Sequence, residues 1–152
     1  MTKLMRTTKP SKFFTIEEKQ KIVAAIKEAE LQTSGEIRIH LEKKSSAPVL
    51  ERAKELFYQL GMDKTGQKNG VLVYLSTEEK LFAIIGDAGI SKVVPADFWD
   101  EVRNIMQEHF KEDKFVEGLE EAVKMVGEKL KAYFPYQADD KNERPDEISV
   151  GR

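Results

Sequence analysis

The chain contains no cysteine, which excludes disulfide frameworks, thiolate metal sites and cysteine nucleophiles. Histidine is nearly as scarce: His40 and His109 are the only two, so any metal site must lean on oxygen ligands. No apolar run approaches the roughly 20 residues needed to span a bilayer. The opening stretch, MTKLMRTTKPSK, is basic but lacks the apolar core of a secretory signal. Neither sign of charge is in excess, since 25 Lys plus Arg stand against 27 Asp plus Glu, a formal net charge of −2. That balance argues against a nucleic-acid binder working through a broad basic surface, and equally against an acidic disordered tail. What is there is 152 residues, 40% apolar and 34% charged: one domain with a real core and a highly charged surface. The expectation is a monomer in the cytoplasm, with no insertion into a membrane and no nucleic acid as partner.

Residues 1–12 carry four basic residues and no acid and read as a flexible leader. Thr15-Ile-Glu-Glu18 is a capping-box pattern. Ile22, Ile26 and Ala29 follow it at helical spacing, which predicts a helix to about Gln32, broken by Ser34-Gly35. Glu36-Ile-Arg-Ile-His-Leu-Glu42 alternates strictly, as a strand with Arg38 and His40 on a wet or partly wet face. Pro48 opens a second helix with Val49, Ala53, Leu56, Phe57 and Leu60 on one stripe, and Gly61 is placed to cap it. After a polar loop over 62–70, Val71–Leu75 is a continuous apolar run, as in a strand buried on both faces. Leu81–Ile85 then predicts an antiparallel hairpin partner. Pro95 starts a helix with Phe98, Val102, Ile105 and His109 inward, flanked by Trp99 and Met106. A last helix places Phe115, Leu119, Ala122, Val123, Val126, Leu130 and Tyr133 inward, with Gly118 and Gly127 tolerated for close helix packing. The body is expected over 13–136, and 137–152 as a polar, disordered tail.

The first strand, second helix and second strand form a βαβ unit, so those strands should be parallel with a right-handed crossover. Their N-terminal ends then lie at one end of the sheet, where the C-terminal end of the returning third strand also arrives. Glu36, Asp63, Thr65, Asn69 and Asp87 are thereby brought to one place, all oxygen donors on glycine-containing segments. Ca²⁺ and Mg²⁺ take carboxylates, amide oxygens and carbonyls in such settings. The same residues also read simply as turn formers. Ser34 is a possible nucleophile or, more simply, a helix-end hydroxyl. Of the cations near the cluster, Lys64, Lys68 and Arg38, Lys68 is the best candidate to meet an anionic substrate, or it is an ordinary solvated lysine. His40 reads as a surface histidine, and His109 as a satisfied core or helix-end one.

Three segments go further than pattern: Thr33-Ser-Gly-Glu-Ile-Arg38, Lys68-Asn-Gly-Val-Leu-Val-Tyr74 and Phe82-Ala-Ile-Ile-Gly-Asp-Ala-Gly-Ile90. They resemble the signature segments of the TPM-domain family, and the likeness continues through Pro95–Trp99, Gly118-Leu119 and Tyr133–Pro135. The resemblance spans about 13–135. It implies an α/β fold, a three-layer α/β/α sandwich around a small mixed β-sheet. It also implies a divalent-cation site, with Ca²⁺ the expected ion and Mg²⁺ the second candidate, and Glu36, Asn69 and Asp87 in the matching motif positions. Asp63 and Thr65 rest on the topology. Some members are similar to acid phosphatases, including a thylakoid-lumen member linked to photosystem II repair. Many carry an N-terminal signal and a membrane segment; this chain resembles the short members that have neither.

Two functions follow as expectations. One is a cation-binding module for a protein partner, membrane-associated or engaged in assembly and quality control of membrane proteins. The other is a weak metal-dependent phosphatase on small phosphomonoesters, with Asp87 as ligand or nucleophile and Glu36 as ligand or base. The module is placed first because no complete catalytic set can be assembled from the sequence.

Overall fold

Thr15 opens the first helix as the sequence predicts. Its hydroxyl accepts from the Glu18 N–H at 3.1 Å, while the Glu18 carboxylate accepts from the Thr15 N–H at 2.9 Å. This closes the capping box of α1, Ile16–Glu30. The computed structural model describes residues 6–136 and 148–151. Within them follow β1 (Glu36–Glu42), α2 (Val49–Gln59), β2 (Gly70–Ser76) and β3 (Leu81–Gly86). The remaining elements are α3 (Ala88–Val93), α4 (Phe98–Lys111), α5 (Phe115–Tyr133) and β4 (Ser149–Val150).

The sheet order is β3-β2-β1-β4. β1 and β2 run parallel across α2, from Glu36 opposite Gly70 to Glu42 opposite Ser76, and β2 and β3 form the expected antiparallel hairpin. Strict alternation sends Ile37, Ile39, Leu41, Val71, Val73, Leu75 and Ile84 to one face, where they join the inner sides of α1, α4 and α5. Leu72, Tyr74 and Ala83 face the other way, against Ala53, Leu56 and Phe57 of α2. The result is the expected three-layer α/β/α sandwich around a mixed sheet, and β2 is buried along its whole length. Gly61, in the left-handed conformation at φ 74°, ends α2 where the sequence places its cap. Gly127 lets α5 approach α1 closely: a Cβ there would lie 2.8 Å from that of Ala29.

Four expectations are corrected. In α4 the inward stripe is Phe98, Val102, Met106 and Phe110; Ile105 and His109 are only half-buried, one residue out of phase. Tyr133 of α5 is exposed rather than inward. Residues 6–12, expected to be loose, lie against the body. Arg6 forks onto both Glu18 carboxylate oxygens at 2.5 and 2.8 Å, and its guanidinium sits over the rings of Phe13, Phe14 and Phe115. Finally, part of the expected tail returns to the sheet: β4 pairs in parallel with the edge of β1, Ser149 opposite His40 and Val150 opposite Leu41. The expectation for 137–147 and for residues 1–5 lies outside the described residues.

The polar face of β1, expected to be wet or partly wet, is largely covered, with Arg38 alone half-buried. Glu36, His40 and Glu42 are all about 5 to 6% exposed. Arg52 of α2 reaches under the strand and grips both oxygens of Glu42, at 2.9 and 2.7 Å, while the Tyr74 hydroxyl donates to the same carboxylate at 2.9 Å. Burial opposes the charge on Glu42, but the Arg52 fork and the Tyr74 bond outweigh it and hold the carboxyl below its ordinary range. Burial pushes the Tyr74 phenol up to about 12. Burial also lowers His40, and the nearby Glu42 only partly restores it.

Among the described residues, no helix is long and apolar enough to cross a membrane.

Candidate functional site

Gly70 is the pivot of the sheet end. It stands opposite Glu36 in the parallel pairing of β1 with β2, and its carbonyl accepts the Asp87 N–H at 2.9 Å from the β3 side. Adjacent strands are spaced by about 4.8 Å, so Glu36 and Asp87 flank Gly70 at one strand spacing each. The alternation that carries Val71 opposite Gly86 puts Glu36, Gly70 and Asp87 on the same face. Gly70 thus leaves a gap between two carboxylate-bearing positions. The turn Met62–Lys64 fills part of it: a Cβ on Gly70 would lie 2.8 Å from the Met62 carbonyl oxygen. That turn carries Asp63 to this end of the sheet.

The 62–70 loop holds itself in place through short bonds. The Thr65 hydroxyl accepts the Asn69 N–H at 3.1 Å, and the Lys68 ammonium donates to the Asp63 carbonyl at 2.8 Å. Lys68, at φ 53°, turns its own carbonyl to accept the Ile90 N–H at 3.2 Å, tying the loop to α3. The Asn69 amide is nearly fully buried. Its NH₂ donates to Ser34 Oγ at 3.2 Å and Gln67 Oε1 at 3.4 Å, and Ser34 Oγ itself donates to Gln67 at 2.8 Å. Asp87 caps α3 through Oδ1, which accepts the Ala88 N–H at 2.7 Å. In this arrangement three oxygens, Asp63 Oδ1, Asn69 Oδ1 and Asp87 Oδ2, are buried and meet no hydrogen-bond donor among the described residues.

The topology therefore brings to one end of the sheet the segments that hold Glu36, Asp63, Thr65, Asn69 and Asp87. Thr65 acts in the structure as the acceptor that fixes Asn69. Among the described residues, no three His, Cys, Asp or Glu side chains form a group that could hold a metal ion, so a ligand set here would have to include the Asn69 amide oxygen. Two neighbours were not anticipated. Glu30, in the last turn of α1, accepts the Ile37 N–H at 2.9 Å, and Gln67 orders Ser34 and Asn69. Glu30 reads in the sequence as one more charge of a solvated helix, and only the chain reversal at Ser34-Gly35 brings it beside β1. The Trp99 ring lies against Gly86, next to Asp87, where a Cβ would be 2.3 Å from it. His40 is not part of this cluster; it lies toward the other end of β1. An open groove of about 520 Å³ runs between α1 and α5 past Ala25, Ala29, Lys124 and Gly127, and none of the five predicted ligands lines it.

Comparison with known proteins places these features in a wider set. A family model described as the TPM domain matches residues 7–129. The chain is similar to the BA42 protein of the psychrophilic bacterium Bizionia argentinensis, solved by NMR. Identity to it is 48%, 95% of this chain and 100% of that chain are covered, and the TM-score is 0.86. It also shares its fold with the N-terminal domain of the cg2496 protein of Corynebacterium glutamicum, at 13% identity and TM-score 0.61 over 86% of this chain and 81% of that one. The N-terminal domain of a P. gingivalis protein gives 19% identity and TM-score 0.61 over 80% and 78%. No curated protein matches the chain.

Proposed function

The chain belongs to the TPM-domain family, and from that premise we propose that it binds a divalent cation at the Gly70 end of the sheet and serves there as an interaction module for a protein partner. Ca²⁺ is the first ion and Mg²⁺ the second. The observation that carries the reading is the trio of buried oxygens without donors, Asp63 Oδ1, Asn69 Oδ1 and Asp87 Oδ2. Buried polar atoms are ordinarily satisfied, and each exception asks for an explanation such as an ion. The donor types, two carboxylates and an amide beside the buried Glu36, suit a hard cation and no soft one. Thr65 supports the set through Asn69. The ion would neutralise the carboxylates and hold the 62–70 loop, whose Lys64, Gly66, Gln67 and Lys68 are exposed to a partner.

The phosphatase reading, with Asp87 and Glu36 as its carboxylates, gains no second observation. Lys68, its best cationic residue, donates to the Asp63 carbonyl. A turnover assay on a generic phosphomonoester, with Asp87→Asn alongside, decides that alternative: loss of turnover in the variant would establish it.

The cation reading is tested by titrating Ca²⁺ and Mg²⁺ while following backbone amide resonances. Shifts should concentrate at Glu36, Asp63, Asn69 and Asp87, and Asp87→Asn should abolish them. A bound ion should also raise the melting temperature by mass action, with about 2.7 kcal/mol at a hundredfold excess over Kd. Unchanged resonances at those four residues would sink the proposal.

A further inference from the structure

The far end of β1 carries a second polar constellation that the cation reading does not use, and a short strand lies on it. Two residues, Ser149 and Val150, pair with His40 and Leu41, and the Gly151 N–H donates to the Leu41 carbonyl at 2.8 Å. Three of the four positions of the segment 148–151 meet specific neighbours. Ile148 packs, half-buried, against the main core. The Ser149 hydroxyl donates to the Ile39 carbonyl at 3.3 Å, and His40 Nδ1 lies 2.7 Å from Ser149 Oγ. Val150 faces outward, 43% exposed, and is not read. At Gly151 a Cβ would lie 2.7 Å from Glu42 Oε2, 2.8 Å from its Cγ and 3.0 Å from His40 Nε2. Glu42 cannot step aside, because Arg52 and Tyr74 fix it from beneath. Only glycine fits.

We propose that the edge of β1 from Ile39 to Glu42 is a strand-docking site for an extended peptide of the pattern apolar–Ser–any–Gly, with Ile148–Gly151 of this chain as its resident occupant. The chemistry is that of β-augmentation: main-chain bonds give attachment, and alternate side chains give selectivity. A parallel pairing of two residues is too short to be stable alone, so the resident strand holds its place largely through the high local concentration that tethering gives. It is therefore exchangeable for a partner segment carrying the same pattern. The site is separate from the cation cluster, and neither depends on the other.

The full chain carrying Gly151→Val tests this by amide NMR. The substitution should displace the resident strand, shifting Ile39 to Glu42 and leaving the amides around Gly70 unchanged. Adding a capped Ile-Ser-Val-Gly peptide in millimolar amounts should move those resonances back toward their positions in the unaltered chain. Capped Ile-Ser-Val-Val should do nothing, and the unaltered chain should show at least tenfold weaker response to either. In a second variant, Ser149→Ala, hydrogen exchange of the Gly151 amide should quicken several-fold with the melting temperature held. The proposal is overturned if the Gly151→Val chain keeps its Ile39–Glu42 resonances, if the two peptides act alike, or if Ser149→Ala leaves Gly151 exchange unchanged.

Discussion

Gly70 and Met62 meet so closely that the Met62 carbonyl oxygen lies 2.8 Å from the place a Cβ on Gly70 would take. The contact is with backbone, so it cannot be relieved by turning a side chain. It fixes the height at which the Met62–Lys64 turn sits over the space between Glu36 and Asp87. Gly70→Ala should therefore push that turn away from the sheet and cost about 1–3 kcal/mol, the usual range for overpacking. Chemical denaturation gives the cost. Amide shifts confined to 62–70 and to Glu36 and Asp87 would locate the displacement, whereas a variant as stable as the parent with an unshifted loop would mean the contact is slack.

In the proposed cation site, Ser34 would orient a ligand rather than supply one. It accepts from the Asn69 amide at 3.2 Å and donates to Gln67 at 2.8 Å, so the NH₂ of Asn69 is held in place while its oxygen stays buried without a donor among the described residues. Ser34→Ala removes that constraint and leaves every proposed ligand in place. Its stability should fall by about 1–2 kcal/mol, as expected for the loss of two partly exposed hydrogen bonds. Cation affinity should fall about tenfold, as when a metal ligand's supporting partner is lost. Isothermal titration with Ca²⁺ measures it, and an unchanged Kd would remove Ser34 from the site.

The parts of this architecture that were legible in the sequence are those encoded by neighbours along the chain. Thr15 and Glu18 are three residues apart and announce their helix. Ile37, Ile39 and Leu41 announce a strand face, and the crossover rule then brings Glu36, Asn69 and Asp87 to one end of the sheet. What was not legible depends on chain segments distant in sequence. His40 looks wet because nothing near it shows that Ser149 will lie against its ring, 109 residues away. Arg6 looks like one of several leader cations until Glu18, Phe13 and Phe115 surround it. The phase of α4 fails for a different reason. Ile105 and Met106 are both apolar, so the pattern permits two stripes one residue apart, and only the aromatic packing of Phe110 against Phe82 and Phe115 selects one.

Acid should weaken this fold in two stages, and the sign follows from both buried groups at the end of β1. His40 is faced by Glu42 and Arg38 of its own strand, Arg52 of α2, the stacked Tyr74 of β2 and Ser149 of β4. Burial, opposed in part by Glu42, holds it below its ordinary value of 6.5 in the folded state. The unfolded chain therefore takes up the proton first, and the stability associated with neutral His40 is present above pH 6.5 and declines as the pH falls beneath it. Glu42 is likewise depressed from 4.5, since Arg52 and Tyr74 overcome the burial that opposes its charge. Its contribution is present above pH 4.5 and is lost as the pH falls through its folded-state value. Melting temperatures measured from pH 8 to pH 3 should be level at the top, begin to drop below about 6.5 and drop further below about 4.5. His40→Asn should flatten the upper step alone and Glu42→Gln the lower one, the latter at a cost of about 2 kcal/mol at neutral pH because the Arg52 fork loses its charged acceptor. A profile in which His40→Asn keeps the upper step would assign that step to another group.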